Sequence, residues 1–107
     1  MELKQYSIVL VNLDPTQGSE IKKTRPCVIV SPDEVNKFLN TIVVAPMTTN
    51  LKKYPTRIGV KHKGKKGMIA IDQIRTIDKS RLLKKFDQLS KTEIQKCKAI
   101  IRETFVD

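Results

Sequence analysis

Histidine and tryptophan are almost missing from this sequence, and acidic residues are far outnumbered by basic ones. There is a single histidine, His62, and two cysteines far apart in the chain, Cys27 and Cys97. One histidine with two distant cysteines cannot assemble a zinc site, and neither cysteine belongs to a spaced pair, so both read as small apolar core residues. No metal and no cofactor is expected. Tryptophan is absent, and two tyrosines and three phenylalanines are the only aromatics. The stacking platforms of many RNA-binding modules are therefore scarce. No run of about 18 apolar residues is present, which argues against a spanning helix. The opening Met1-Glu2-Leu3-Lys4-Gln5 has no apolar signal core and leads directly into strand-like sequence. A cytoplasmic protein without membrane contact is the expectation.

The shortage of acid leaves a strong imbalance of charge. Against 11 Asp and Glu stand 21 Lys and Arg, for a net charge of +10 and a pI near 9.8. Such a balance points to an anionic partner, nucleic acid first. The chain has 107 residues, the size of one ordinary domain, and residues 1–107 are read as one. Apolar residues make up 39%, enough for a core without staples.

Taken in order, Tyr6–Asn12 is aromatic and β-branched and reads as a strand. A second strand opens at Pro26 and runs to Val30. Ser31-Pro32-Asp33-Glu34 gives a helix start with Ser31 as cap, for a short helix over Asp33–Leu39. Thr41–Pro46, nearly all apolar, reads as a strand buried on both faces. Thr56–Val60 and Met68–Ile71 follow as strands joined by a Lys-rich connection over Lys61–Gly67. Asp72–Ile77 continues or bends the fifth strand, Ser80-Arg81-Leu82 is a short turn, and Lys84–Leu89 is a last strand. Ser90-Lys91-Thr92-Glu93 is a second capping box, opening a helix whose Ile94, Cys97, Ile101 and Phe105 form one apolar stripe ending near Val106. The fold class expected is mainly β with short helices: a small, strongly bent sheet or partly open barrel with a C-terminal helix.

The polar link Asp14–Pro26 is longer than a turn between strands requires, and such loops carry function. It gathers Glu20, the hydroxyls of Ser19 and Thr24, and the cations Lys22, Lys23 and Arg25. That mixture suits gripping something anionic and polar.

Four blocks carry a resemblance. Val11–Glu20, Thr24-Arg25-Pro26, Val44-Ala45-Pro46-Met47-Thr48 and Asp72–Lys79 closely resemble, in order and spacing, the MazF/PemK family of toxin endoribonucleases. The resemblance covers nearly the whole chain. It implies an SH3-like barrel, shared with the CcdB-like gyrase-directed toxins. It also implies a homodimer that cuts single-stranded RNA at short sequences without a metal, leaving a 2′,3′-cyclic phosphate and a 5′-hydroxyl. A cognate antitoxin with an acidic disordered segment would hold it inactive, and any contact with operator DNA would run through the antitoxin complex.

Position by position, the resemblance sets Arg25 on the arginine held to be catalytic and Thr48 on the catalytic hydroxyl. Glu20 falls on an acidic position near the active site, and Asp72 where some members use an aspartate as general base. Ala70 and Ser19 stand where that branch has an arginine and a histidine, so the pattern favours Arg25 with Thr48. Ser19, Lys23, Thr24, Thr49, Lys53 and Gln73 are the RNA-contacting candidates.

The chemistry can also be read from the residues. Cleavage without a metal means attack by the ribose 2′-oxygen on its own phosphate, which needs deprotonation of the 2′-hydroxyl, charge stabilisation and protonation of the 5′-oxygen. A guanidinium grips phosphate with forked donors and is a poor conventional acid, so Arg25 is assigned charge stabilisation. Thr48 orients the 2′-hydroxyl or the phosphate. Glu20 is either a base or the partner of Lys22 or Lys23, and Gln73 either reads a base edge or pins the Thr48 loop. His62, inside the Lys-rich connection, is not given a catalytic role. The lysines of that stretch supply backbone attraction. A non-catalytic basic RNA-binding barrel and a same-fold toxin acting on gyrase are the competing readings. The Arg25–Thr48 pair separates the nuclease from both, since binding alone needs no such pair.

Overall fold

A computed structural model describes residues 2–107. Among them a sheet of seven strands forms in the order β4-β5-β3-β2-β1-β7, with β6 also pairing β3. The strands are β1 (Ser7–Asn12), β2 (Thr24–Ile29), β3 (Thr41–Thr48), β4 (Arg57–His62), β5 (Lys65–Ala70), β6 (Arg75–Asp78) and β7 (Leu82–Gln88); the helices are α1 (Asp33–Phe38) and α2 (Lys91–Phe105). Every ladder is antiparallel.

Strand β3 is the spine. One edge pairs with β2, while the other is shared, Thr41–Val44 with β6 and Met47–Thr48 with β5. A strand that serves two partners on one edge forces the sheet to curl, and register breaks between β1 and β7 at Ser7/Val9 and Leu10/Val11 add local twist. The result is the mainly β, partly open barrel with a C-terminal helix that the sequence implies.

Alternation along the central strands feeds two cores. Val9, Val11, Cys27, Ile29, Ile42 and Val44 point into one, with Leu13 and Ile77. Val28, Ala45 and Met47 point into the other, where Val60, Ile69 and Cys97 meet them and Ile94 and Ile101 of α2 close it. Thus β3 is buried on both faces, as its unbroken apolar run predicts. Both cysteines are buried and free, and burial raises each thiol to about 12, leaving them inert packing groups. The Ser90–Glu93 capping box is present in full. No helix of the described residues is long and apolar enough to cross a membrane.

Several boundaries differ from the sequence reading, each for a physical reason. Tyr6 takes a φ of 65°, so β1 starts at Ser7. Strand β2 begins two residues before Pro26, since Thr24 and Arg25 pair with Asn12 and Val11. Ser31 does not cap α1. Pro32 holds the cap position without a side-chain bond, while the buried Ser31 hydroxyl donates to the Asn36 side chain and accepts from the Val43 amide. The Lys61–Gly67 connection is mostly strand. His62 pairs with Lys65 across a two-residue turn, Lys63-Gly64, with φ of 52° and 77°, the left-handed pair a type I′ hairpin demands. Asp72–Ile77 splits into a 3-10 turn, Ile71–Gln73, and β6. Strand β7 begins at Leu82, before Lys84.

Candidate active site

Most of the candidate residues line two clefts, each of which takes part of its wall from β3. The β2–β3 register pairs Cys27 with Pro46, and carried on by two residues it sets Arg25 opposite Thr48. The two lie at the strand ends and not on loops, because β2 starts early and β3 extends late. Residues opposite each other on neighbouring strands share a face and lie within side-chain reach. Both line a cleft of about 230 Å³, with Thr49 beside them, His62 contributed by β4, and Lys65 and Lys66 by β5.

Arg25 spends one donor locally, Nε–H to the Lys22 carbonyl at 3.2 Å. That bond sets the orientation of the guanidinium and leaves the Nη groups of the fork for a ligand. The Thr48 hydroxyl accepts from the Asn50 amide at 3.2 Å and keeps its own proton to donate. A Cβ on Gly67 would stand 3.0 Å from the Thr48 carbonyl oxygen, so any larger residue there would press on the β3 backbone and make it give by a few tenths of an ångström.

The second cleft, about 390 Å³, is lined by Ser19, Glu20, Ile21, Asp72, Gln73 and Arg75, with Pro46 of β3 in its wall. Its polar groups are largely engaged. Gln73 accepts from the Ile21 amide at 2.7 Å and donates to the Ser19 carbonyl at 3.3 Å. It pins the Asp14–Lys23 loop, not the Thr48 loop. Glu20 Oε1 accepts from the Gln17 amide at 2.5 Å, closing a turn inside the loop, and no ion pair to Lys22 or Lys23 is present. Asp72 accepts from the Thr56 hydroxyl at 2.9 Å and from Arg57 Nε and Nη2, both at 3.2 Å. Partial burial pushes the Asp72 carboxyl up, but the Arg57 and Thr56 hydrogen bonds and the Arg57 charge outweigh it and hold the group below the usual carboxylate range. A carboxylate so committed is a structural anchor and a weak base.

A family model described as PemK-like, MazF-like toxin of type II toxin-antitoxin system matches residues 4–105. The chain belongs to that toxin family. Endoribonuclease MazF of Staphylococcus epidermidis is 37% identical, over 86% of this chain and 82% of that protein. The crystal structure of MazF from Deinococcus radiodurans superposes with a TM-score of 0.83 at 22% identity, covering 94% of this chain and 93% of that one. A MazE-MazF structure from the same organism gives 0.78 at 19% identity, covering 96% and 94%. At that identity the two structures speak for the fold.

Within this MazF-type toxin the remaining candidates divide by position. Thr49 shares the Arg25 cleft. Thr24 is exposed at the start of β2, and Lys23, with a φ of 71°, donates its amide to Asp14 and turns the loop into the strand. Lys53 lies apart, in a groove with Tyr54, Arg57 and the α2 residues Lys96 and Ile100. The sequence reading gave Lys65 and Lys66 only a general attraction for the phosphate backbone and His62 no catalytic role, and it did not place the three beside Arg25. The signal was the Lys63-Gly64 dipeptide, whose tight turn carries all three to the cleft rather than out into a solvated loop.

Proposed function

We propose that this MazF-type toxin endoribonuclease cuts single-stranded RNA, including messenger RNA, by attack of a ribose 2′-oxygen on the adjacent phosphate, without a metal. One observation carries the reading: Arg25, near the start of β2, and Thr48, at the end of the neighbouring β3, line the same cleft. The guanidinium fork meets the charge that gathers on the five-coordinate phosphate, and the Thr48 hydroxyl orients the nucleophile or a phosphate oxygen. The 2′-oxygen bonds to phosphorus, the bond to the 5′-oxygen breaks, and that oxygen takes up a proton. The ends are a 2′,3′-cyclic phosphate and a 5′-hydroxyl. Among the described residues no group of three or more His, Cys, Asp or Glu side chains is placed to hold a metal ion, which supports a nucleophile supplied by the substrate.

Lys65 and Lys66 at the cleft rim attract the phosphate backbone. The neighbouring cleft, with Ser19, Glu20 and Gln73, takes a flanking nucleotide. A cognate antitoxin neutralises the toxin, its acidic, disordered segment drawn by the net charge of +10. The active form is a homodimer. Strand β7 ends the sheet, and its Leu83, like Phe105 and Val106 at the end of α2, is exposed and in need of cover.

The test is incubation of the purified protein with long single-stranded RNA in chelator, beside Arg25→Ala and Thr48→Ala. Wild type is expected to cut and each variant to lose about 100-fold in rate with an unchanged unfolding midpoint. Relief of growth arrest should accompany the loss. Two folded variants that cut as fast as wild type would show that the site is elsewhere.

A further inference from the structure

The proposed cleavage needs a group to take the 2′-hydroxyl proton, and the arrangement of side chains singles one out. Glu20 and Asp72 line the other cleft, where Glu20 closes a turn with Gln17 and Asp72 holds Arg57. The polar side chains of the Arg25 cleft are Arg25, Thr48, Thr49, Lys65, Lys66 and His62. Hydroxyls and protonated cations are not bases at neutral pH, whereas imidazole is. We infer that His62 is the general base of the cleavage reaction, taking the 2′-hydroxyl proton in the cleft lined by Arg25 and Thr48.

The ring is held for this task. His62 ends β4, paired with Lys65 across the tight turn. Its imidazole meets Phe86 of β7 edge-on, with centroids 4.9 Å apart. The Phe86 ring also takes the ammonium groups of Lys63 at 4.3 Å and Lys84 at 5.3 Å, so those cations are held by the aromatic face. His62 lines the cleft together with Arg25 from β2 and Lys65 and Lys66 from β5. On the other side lie Lys61 and Lys63 from its own hairpin, Asp87 from β7 and Glu93 from α2. Burial, and after it Lys63, keeps the imidazole below its ordinary value, so it is largely neutral and able to accept a proton at pH 7.

The step balances. The 2′-hydroxyl proton passes to the unprotonated ring nitrogen as the oxygen bonds to phosphorus. The 5′-oxygen leaves with the electron pair of its bond and is protonated from solvent, and the imidazolium returns its proton to solvent. Chain scission consumes no water.

This role rests on the endoribonuclease reading, and the experiment separates the two. Cleavage of single-stranded RNA in chelator is followed from pH 5 to 8 for wild type, His62→Gln and His62→Ala, with binding measured on the same RNA carrying deoxyribose at the cut. Wild type should lose rate in acid with a limb below pH ~6.5. His62→Gln should lose about 100-fold at pH 7 and lack that limb, binding within a few-fold of wild type. Added imidazole should restore part of the rate to His62→Ala. A His62→Gln enzyme with wild-type rate and limb overturns the assignment while leaving the nuclease reading intact. So does a loss of rate matched by an equal loss of binding. A flat wild-type profile overturns it without recourse to any variant. A wild type that cuts no RNA removes the underlying reading as well.

Discussion

Asp72→Asn is the substitution that most sharply separates a structural carboxylate from a chemical one. Asp72 ties the 3-10 turn after β5 to the start of β4 through three bonds, one from Thr56 and two from Arg57. The Arg57 side chain is 11% exposed and that of Asp72 35%. Asparagine keeps the shape and can still accept from Thr56, but it removes the charge and turns an amide towards Arg57. A hydrogen bond to a charged group contributes about 1.5–3 kcal/mol when sheltered, and an exposed pair less than about 1 kcal/mol. This half-open pair should fall between, at about 1–2 kcal/mol, or roughly 4–8 °C in Tm for a chain of this size. The sign with pH follows from the direction of the shift. The folded carboxyl lies below its unfolded value, so its contribution is complete above the unfolded value near pH ~3.9 and is lost as pH falls through the folded one. Wild type and Asp72→Asn should therefore differ by a constant amount from pH 5 to 8 and converge in acid. Cleavage, measured well below both unfolding midpoints, should stay within a few-fold. Equal stability of the two proteins at pH 7 would refute the anchoring argument. A folded Asp72→Asn that loses about 100-fold in rate would place the carboxylate in the chemistry.

Gln73→Ala removes the side chain that bonds Ile21 and Ser19; it should cost about 1 kcal/mol and speed hydrogen exchange at the Ile21 amide, and unchanged exchange there would show that the loop is held by other means. Gly67→Ala drives a methyl group to 3.0 Å from the Thr48 carbonyl; it should destabilise by about 1–3 kcal/mol and cut the cleavage rate by about tenfold through displaced Thr48, and wild-type kinetics would show that β5 can yield without moving β3.

The architecture was legible where local signals agree with tertiary context. The Ser90–Glu93 box, the stripe through Ile94, Cys97 and Ile101 and the unbroken apolar run of β3 each speak with one voice, and the structure follows them, leaving only Phe105 of the expected stripe exposed. Legibility failed where a strand is spelled in polar residues. Thr24-Arg25 and Lys65-Lys66 look like loop, yet ladder partners hold them extended, Asn12 and Val11 for the first pair and His62 and Lys61 of β4 for the second. Ser31 misled because its hydroxyl found a buried partner in Asn36, a contact no local pattern announces. The candidate site shows the same divide. The motif pattern named Arg25 and Thr48, and the pairing of β2 with β3 explains why they line one cleft. Long-range contacts decide the rest: Gln73 reaches Ile21 across 52 residues, and a two-residue turn brings His62 back to the cleft.

The central claim is that the nucleophile belongs to the substrate and that the Arg25–Thr48 cleft serves it. The most direct measurement is cleavage, in chelator, of an RNA in which the one ribose preceding the cut bond is replaced by deoxyribose. Phosphate and base contacts are left in place, so binding should stay within a few-fold. Cleavage at that bond should vanish, while unmodified RNA is cut to a 2′,3′-cyclic phosphate. Persistent cutting of the deoxy-substituted bond, or activity that chelator abolishes and magnesium restores, would contradict the account.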